Sequence, residues 1–299
     1  MAAWDVVVIG GGAAGLSAAA TAASAGLSCL VLDRMGGGGE LMNLGKLEEV
    51  DGAPTGPDMV AQLLKAAMTT GAELAVAEVT GLVVDATGWQ ITTDDGAHAA
   101  RAVILAVGLA PGRLGIAGED TFEGRGLSYC AACDGPLYRG QPMLVAGTDR
   151  WAIAEAHELS TIASHVTLVT QGGMPPATAA GFAVLPGRIT ALQGESGLKS
   201  VLVQPEDGGA EQRLHGPVLF VQTGRRPALD FAPTTLIRDP DGKLVTDATG
   251  QCHPPGLFAA GDARAGTSRT IAAAIADGNR AAIAAQGMFS PLGKPTGSE

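Results

Sequence analysis

The sequence predicts an α/β protein made of two Rossmann-like nucleotide-binding domains with three-layer ββα architecture, the central one inserted in the other. Two observations support this. Near the N-terminus, a strand (4–9), a glycine turn, an Ala-rich helix (13–25) and a strand (28–33) form a β-α-β opening. A second opening, with a strand at 142–146 and a helix at 150–163, follows in the middle of the chain.

Two Pro/Gly-rich stretches, 109–120 and about 239–247, predict domain crossings. After the second come a strand ending in a glycine turn (256–262) and an Ala-rich helix (268–286). This order indicates that one nucleotide-type domain is inserted into another. Further strands are expected at 79–85, 89–93, 102–108, 166–170, 182–186, 199–204 and 217–222, a helix at 56–71, and a flexible loop at 36–40.

Composition and charge exclude several classes of function. Charged residues make up 16% of the chain, and the net charge is −11. Because an acidic surface repels phosphate backbones and anionic lipids, we expect no nucleic-acid and no membrane partner. No apolar run reaches the roughly 18 residues of a spanning helix, and no basic segment precedes the first apolar stretch as in a signal peptide. These features predict a cytoplasmic protein.

The first glycine turn, "VVVIGGGAAGLSAAA", predicts a dinucleotide site. Gly10 permits a tight turn, Gly12 lets the backbone approach a pyrophosphate, and Gly15 allows close packing of helix and strand. The helix N-terminus would face the phosphates. Asp33 ends the next strand, where an acid can accept hydrogen bonds from a ribose.

A second glycine turn, "GLFAAGDAR", favours FAD over NAD at this site. Its strand ends in Gly261 and Asp262, just before the C-terminal helix. A carboxylate at this place can lie near the ribityl chain of a flavin.

The segment "SYCAACDG" (128–135) predicts redox chemistry. Cys130 and Cys133 are three residues apart and can close a small disulfide ring. Thiol exchange needs a thiolate and a proton partner for the leaving thiol, and Asp134 can be that partner. A zinc site would need a second ligand pair, which Cys29 and Cys252 do not supply at ligand spacing. We therefore predict no metal.

The chain resembles the low-molecular-weight thioredoxin reductases, a family of FAD-dependent pyridine nucleotide-disulfide oxidoreductases, along nearly its whole length. The resemblance is carried by "GGGAAG" (10–15), "GGEL" (38–41), "GRGLSYCAACDG" (124–135), "FVQTGRRP" (220–227), "GLFAAGD" (256–262) and "RTIAAAIADG" (269–278).

The resemblance implies an FAD domain of residues 1–112 and 247–299, a central domain of residues 113–246, and a homodimer. It also implies that Cys133 lies beside the flavin, that Cys130 attacks the partner disulfide, and that Asp134 is the acid/base. The expected FAD-binding residues are Gly10, Gly12, Ala13, Ala14, Gly15, Asp33, Gly39, Glu40, Leu41, Val79, Gly108, Gly261, Asp262, Arg269, Thr270 and Ile271.

The second nucleotide turn departs from the family. The family's second G-x-G-x-x-A aligns with Gly147, Asp149 and Ala152, so a carboxylate replaces the middle glycine. Asp149 would repel a pyrophosphate and can itself cap the helix, while Trp151 adds bulk if its ring turns toward the site. After the next strand, "VTQGGMPP" (169–176) lacks the basic residues that hold the 2′-phosphate of NADPH in the family. These departures predict that NADPH is not bound tightly.

The flavin side departs as well. Glu40 replaces a family Gln, Glu49 a family Asn, and Thr270 a family Gln. If Glu40 and Glu49 face the isoalloxazine, their charge opposes the anionic reduced flavin; the alternative is that both point to solvent.

These observations predict an FAD-dependent thiol–disulfide oxidoreductase that passes electrons between flavin, the Cys130–Cys133 pair and an external dithiol or disulfide, either a thioredoxin-like protein or a small molecule. Three variants remain open: a thioredoxin reductase that binds NADPH or NADH in an altered way, one reduced by a ferredoxin-like or other protein, and a dithiol oxidase that passes electrons to O₂. A non-catalytic flavin-binding redox sensor is the alternative from another class.

Overall fold

The computed structural model describes residues 3–45, 47, 55–174 and 181–289. The chain forms two compact units, one of Met1–Leu109 with Arg226–Glu299 and the other of Ala110–Arg225. No helix within the described ranges is long and apolar enough to cross a membrane.

The strands, in chain order, are β1 (Trp4–Ile9), β2 (Cys29–Asp33), β3 (Glu73–Val76), β4 (Val79–Asp85), β5 (Gly88–Thr93), β6 (Ala97–Leu105), β7 (Ala110–Pro111), β8 (Leu127–Ser128), β9 (Pro142–Ala146), β10 (His165–Val169), β11 (Ala183–Leu185), β12 (Gly187–Gln193), β13 (Ser200–Pro205), β14 (Gln212–His215), β15 (Val218–Val221), β16 (Arg225–Arg226) and β17 (Leu257–Ala259). The α-helices are α1 (Ala13–Ser24), α2 (Gly56–Thr69), α3 (Glu119–Phe122), α4 (Ala131–Asp134), α5 (Arg150–Ser160) and α6 (Ile271–Gly287). Short 3₁₀ helices span Gly39–Asn43, Gly135–Tyr138 and Gly261–Ala263.

The first unit is built on a seven-stranded sheet of order β3-β2-β1-β6-β5-β4, with β17 also paired to β6. Strands β3, β2, β1, β6 and β17 run parallel, and β4–β6 form an antiparallel meander. On one face, Val6 and Val8 of β1 pack with the alanines of α1 and α6. On the other face, Val7 packs with Leu82 and Trp89 of the meander. The three layers are therefore helix, parallel sheet and β-meander.

The second unit repeats this plan. Its parallel sheet has the order β11-β10-β9-β15-β8, and β12, β13 and β14 form an antiparallel sheet. Val145 and Phe220 face α5 in one core cluster, while Leu144 and Leu219 share another with the antiparallel strands. The predicted α/β class with two Rossmann-like ββα domains is confirmed.

The second domain crossing differs from the expected one. The sequence places it at 246–247, but the chain returns to the first unit at 225–226. Leu229, Leu236 and Leu244 are buried in the same core cluster as β1 and β6, which assigns this stretch to the first unit. The Pro/Gly-rich residues near 239–247 are turns inside that unit rather than a crossing.

Candidate active site

The first glycine turn has the geometry of a phosphate cradle. Gly10 has φ +100°, and a Cβ there would overlap the carbonyl oxygen of Ala106. A Cβ at Gly15 would overlap the carbonyl oxygen of Gly10. Gly12 is the N-cap of α1, and no described side chain caps that helix or lies within 4 Å of a Cβ built at Gly12. The first turn of α1 thus has the room and the uncapped start that a dinucleotide phosphate needs.

Asp33 holds this turn to the following loop. Its Oδ2 accepts the N–H of Gly11 at 2.7 Å, and its Oδ1 accepts those of Met35 at 2.8 Å and Gly37 at 2.9 Å. The carboxylate thus accepts three hydrogen bonds from its own chain. The expected hydrogen bond that Asp33 accepts from a ribose hydroxyl stays a prediction. The three observed hydrogen bonds bring Gly39 beside the turn, where its Cβ position is 3.8 Å from the Cα of Gly12.

The C-terminal glycine turn packs against the first turn of α1. Gly261 has φ +66°, and a Cβ there would be 3.0 Å from the Cβ of Ala14. Arg269 Nε donates to Asp262 Oδ2 at 3.4 Å. Thr270 caps α6 by accepting the N–H of Ala273 at 3.2 Å, which explains why a polar residue stands there.

The other expected FAD-binding residues lie in the same unit as these turns. Ala13 and Leu41 belong to one apolar cluster, against which Ile271 packs. Gly108 has φ +59° just after β6, and Val79 begins β4. Glu40 is exposed in the 3₁₀ helix after the loop. Glu49 lies outside the described residues.

The cysteine turn lies in the second unit. Cys130 and Cys133 form a disulfide, with their Cα atoms 5.3 Å apart. Cys130 is the N-cap of α4, where its Sγ accepts the N–H of Cys133 at 3.2 Å. The N–H of Cys130 donates to Ser128 Oγ at 3.1 Å. Cys133 is exposed, while Cys130 and Asp134 are half-buried, so the disulfide is open to attack by an external thiol.

A partly buried polar chain supports this turn, and no local sequence pattern indicates it. Gln222 Nε2, just after β15, donates to the carbonyl oxygen of Tyr129 at 3.1 Å and to Glu155 Oε1 at 3.0 Å. Burial raises the pKa of Glu155 to about 7, and the N–H of Ala131 and the Gln222 amide offset only part of that effect.

The side chain of Asp149 makes hydrogen bonds within the second nucleotide turn. Gly147 keeps the tight turn at φ +144°. Asp149 Oδ1 accepts the N–H groups of Trp151 at 3.0 Å and Ala152 at 2.8 Å, so the predicted cap on α5 is present. The Trp151 side chain is half-exposed, and the guanidinium of Arg150 lies 4.8 Å from its ring centroid.

The turn after β10 contacts a basic side chain that the sequence analysis did not predict. A Cβ at Gly172 would overlap the guanidinium of Arg188, which extends from β12. A Cβ at Gly173 would overlap Thr148 Oγ1, so the turns after β9 and β10 pack directly against each other. The segment itself has no Lys or Arg, but the fold brings a basic side chain to it from elsewhere in the chain. Arg188 was missed because sequence spacing does not show this contact.

Comparison with known proteins identifies the family of this chain. Residues 4–278 match the family described as pyridine nucleotide-disulphide oxidoreductase. This chain belongs to that family. It is 35% identical to the thioredoxin reductase of Treponema pallidum (strain Nichols), over 97% of this chain and 98% of the relative, which places it in the thioredoxin reductase branch.

Two solved structures show the same fold over nearly the whole chain. The thioredoxin reductase of Lactococcus lactis, in its FR conformation, has a TM-score of 0.76 at 29% identity and covers 95% of this chain and 98% of its own. The atypical thioredoxin reductase of Desulfovibrio vulgaris Hildenborough has a TM-score of 0.54 at 34% identity and covers 95% and 97%.

Proposed function

We propose that this protein is an FAD-dependent thiol–disulfide oxidoreductase of the thioredoxin reductase type. The observation that carries the proposal is the closed Cys130–Cys133 disulfide, with Cys133 exposed and Asp134 next to it. The substrate is a thioredoxin-like protein or a small dithiol or disulfide, and the working form is a homodimer. Relatives that are 35% and 31% identical to this chain are named thioredoxin reductases, which supports this proposal.

The flavin site is the cradle of the first unit. The open space at Gly12, the uncapped start of α1 and the approach of Gly261 to Ala14 fit the phosphates and ribityl chain of FAD. Bound FAD would supply the two-electron exchange with the cysteine pair. In this proposal Cys133 is the thiol beside the flavin, Cys130 attacks the external disulfide, and Asp134 moves the proton of the leaving thiol.

We further propose that the second nucleotide turn does not hold NADPH tightly. Asp149 places a carboxylate where a pyrophosphate would lie, and it already satisfies two N–H groups of α5. Thr148 fills the space against Gly173. Electrons then come from a ferredoxin-like or other protein, or the enzyme runs as a dithiol oxidase that delivers electrons to O₂.

One observation favours a second candidate, a reductase that binds NADPH in an altered way. Arg188 lies against Gly172, in the turn where the family holds the 2′-phosphate. A guanidinium there can pair with a phosphate, and replacing Arg188 tests whether it binds the 2′-phosphate of NADPH.

Replacing Cys130 tests the disulfide route. Cys130→Ser should abolish electron transfer between flavin and dithiol while the flavin stays bound, because the residues of the cradle are unchanged. Ala132→Ser, at an exposed position of the same turn, is the matched control and should keep wild-type turnover. Turnover that survives in Cys130→Ser would exclude the disulfide mechanism and favour a flavin protein in which the pair is not redox-active.

A further inference from the structure

Glu155 of α5 is linked to the cysteine turn through the side-chain amide of Gln222. The amide of Gln222 donates from one nitrogen both to Glu155 Oε1 at 3.0 Å and to the carbonyl oxygen of Tyr129 at 3.1 Å. Tyr129 directly precedes Cys130. Helices α4 and α5 also share an apolar contact, since Ala131 packs with Ala152, Ala156 and Leu159. The position of Glu155 is thus fixed relative to the redox pair.

The second oxygen of this carboxylate favours the neutral acid. Glu155 Oε2 is buried and accepts no hydrogen bond within the described residues, and the N–H of Ala131 stabilises the charged carboxylate only in part. An ionised carboxylate oxygen without a donor loses its hydration and gains nothing in return. A protonated carboxyl avoids most of that cost.

The surrounding charges act in the same direction. Glu158 and Asp149, both on or at the start of α5, raise the pKa of Glu155 through their negative charge, and Gln222 at the end of β15 is neutral. The titratable groups of α4 are Asp134 and the two cysteines. Since negative charge raises the pKa of Glu155, a thiolate formed nearby would raise it further.

We propose that Glu155 stores a proton for the Cys130–Cys133 pair. It binds this proton when the pair is reduced. The inference rests on the proposed thiol–disulfide function. When an external dithiol reduces the pair, the Cys130–Cys133 bond breaks and a disulfide forms in the dithiol, which loses two electrons. The dithiol also gives up two protons. One is bound by a cysteine thiol, and the other is bound by Glu155 while the second cysteine sulfur is a thiolate. Glu155 releases that proton when the disulfide re-forms.

The test is the pH dependence of thiol reactivity in the reduced flavoprotein. Cys130 and Cys133 are alkylated with iodoacetamide from mildly acidic to mildly alkaline pH, and each site is followed by mass spectrometry. In the wild type, the titration of Glu155 should add a step above pH 7 to the rate profile, because the thiolate raises its pKa above the value of about 7 that it has beside the disulfide. Glu155→Gln should lose this step, and its thiol step should move down by about one pH unit because the charged carboxylate is gone.

Glu158→Gln is the matched control, an exposed glutamate on the same helix. It should keep the step and move it to lower pH, because one neighbouring negative charge is removed. Glu155→Asp should also keep the step. Superimposable profiles of Glu155→Gln and the wild type would overturn the proposal.

A second measurement needs only the wild type. At mildly alkaline pH, where Glu155 is ionised beside the disulfide, the infrared difference between the reduced and oxidised protein should contain the carbonyl band of a newly protonated carboxylic acid; its absence would overturn the proposal even if Glu155→Gln does not fold. Both measurements start from chemically reduced protein and do not require turnover. A failure of the proposed enzyme function, seen as no electron transfer between dithiol and flavin, is therefore distinguishable from a failure of this inference.

Discussion

The carboxylate of Asp149 accepts the backbone N–H of Ala152 at 2.8 Å, in a turn where the family has a glycine beside a pyrophosphate. In our proposal, the residue that removes the phosphate contact is also the N-cap of α5. One substitution is therefore expected to change ligand binding and helix stability together, and the two effects can be separated by two variants.

Asp149→Gly should weaken the protein slightly and strengthen nicotinamide binding. Loss of the cap should lower the free energy of unfolding by a few tenths of a kcal/mol to about 1 kcal/mol, while removal of the charge frees the turn for phosphates. Denaturant unfolding and flavin reduction by NADPH measure the two effects. Asp149→Asn keeps a capping oxygen and should leave the free energy of unfolding near that of the wild type. If flavin reduction by NADPH is unchanged in both variants, Thr148 or another group closes the turn.

Arg188→Ala tests the alternative route for NADPH. If Arg188 binds a 2′-phosphate, its removal should reduce flavin reduction by NADPH but not by NADH. Reduction by dithiothreitol should stay unchanged, since the cysteine turn is not altered. Arg213→Ala, an exposed arginine of β14, is the control. Equal loss with both nucleotides in Arg188→Ala would contradict a role in selecting the 2′-phosphate.

Asp277 in α6 should contribute strongly to stability. Its side chain is 4% exposed and pairs with Arg264 at 2.9 Å and Arg280 at 2.6 Å. Removing one member of a buried ion pair leaves uncompensated charge, so Asp277→Asn should cost about 3 kcal/mol in unfolding free energy. Asp241→Asn, at an exposed position, should have little effect.

The same residue predicts a pH dependence. Burial alone would raise the pKa of Asp277, but its hydrogen bonds and charge interactions with the arginines outweigh this and lower the pKa below 3.8. Because the folded-state pKa is depressed, the stabilisation is present above the unfolded pKa and is lost as pH falls through the folded value. The wild type should therefore lose more unfolding free energy on acidification than Asp277→Asn; parallel acid profiles would contradict this.

Two glycines of α6 give a matched test of the packing around the FAD cradle. A Cβ at Gly278 would overlap the carbonyl oxygen of Ala14 in α1, whereas one at Gly287 would meet nothing within 4 Å among the described residues. Gly278→Ala should lower the unfolding free energy by about 1 to 3 kcal/mol and reduce the retained flavin. Gly287→Ala should be neutral or slightly stabilising, and a similar loss in both variants would show that the α1–α6 contact is not responsible.

Local patterns predicted much of the fold. The alternation of apolar run, glycine turn and Ala-rich run located β1, α1 and β2 closely, because a buried parallel strand and a glycine-led helix each have a local signature. The helix expected from residue 268 begins at Ile271, since Thr270 provides the cap. The loop expected at 36–40 runs into a 3₁₀ helix from Gly39, and the short edge strand β3 was missed.

The site was less predictable where it depends on distant residues. The cysteine pair and the cap at Asp149 are local in sequence, and the structure contains both. The contacts of Arg188 with Gly172, Thr148 with Gly173, and Gln222 with Glu155 join separate strands and helices. Such contacts arise from the sheet order, and a single sequence carries no periodic signal for them. The misplaced crossing has the same cause, since burial of Leu229 and Leu236 depends on tertiary packing.

An anaerobic absorbance titration of the purified flavoprotein tests the central claim most directly. NADPH, NADH and then dithiothreitol are added in turn while the flavin band is followed. We predict that neither nucleotide bleaches the band at low concentration and that the dithiol does so in the wild type but not in Cys130→Ser. Stoichiometric bleaching by low concentrations of NADPH would contradict the account, because Asp149 and Thr148 would then not prevent nucleotide binding.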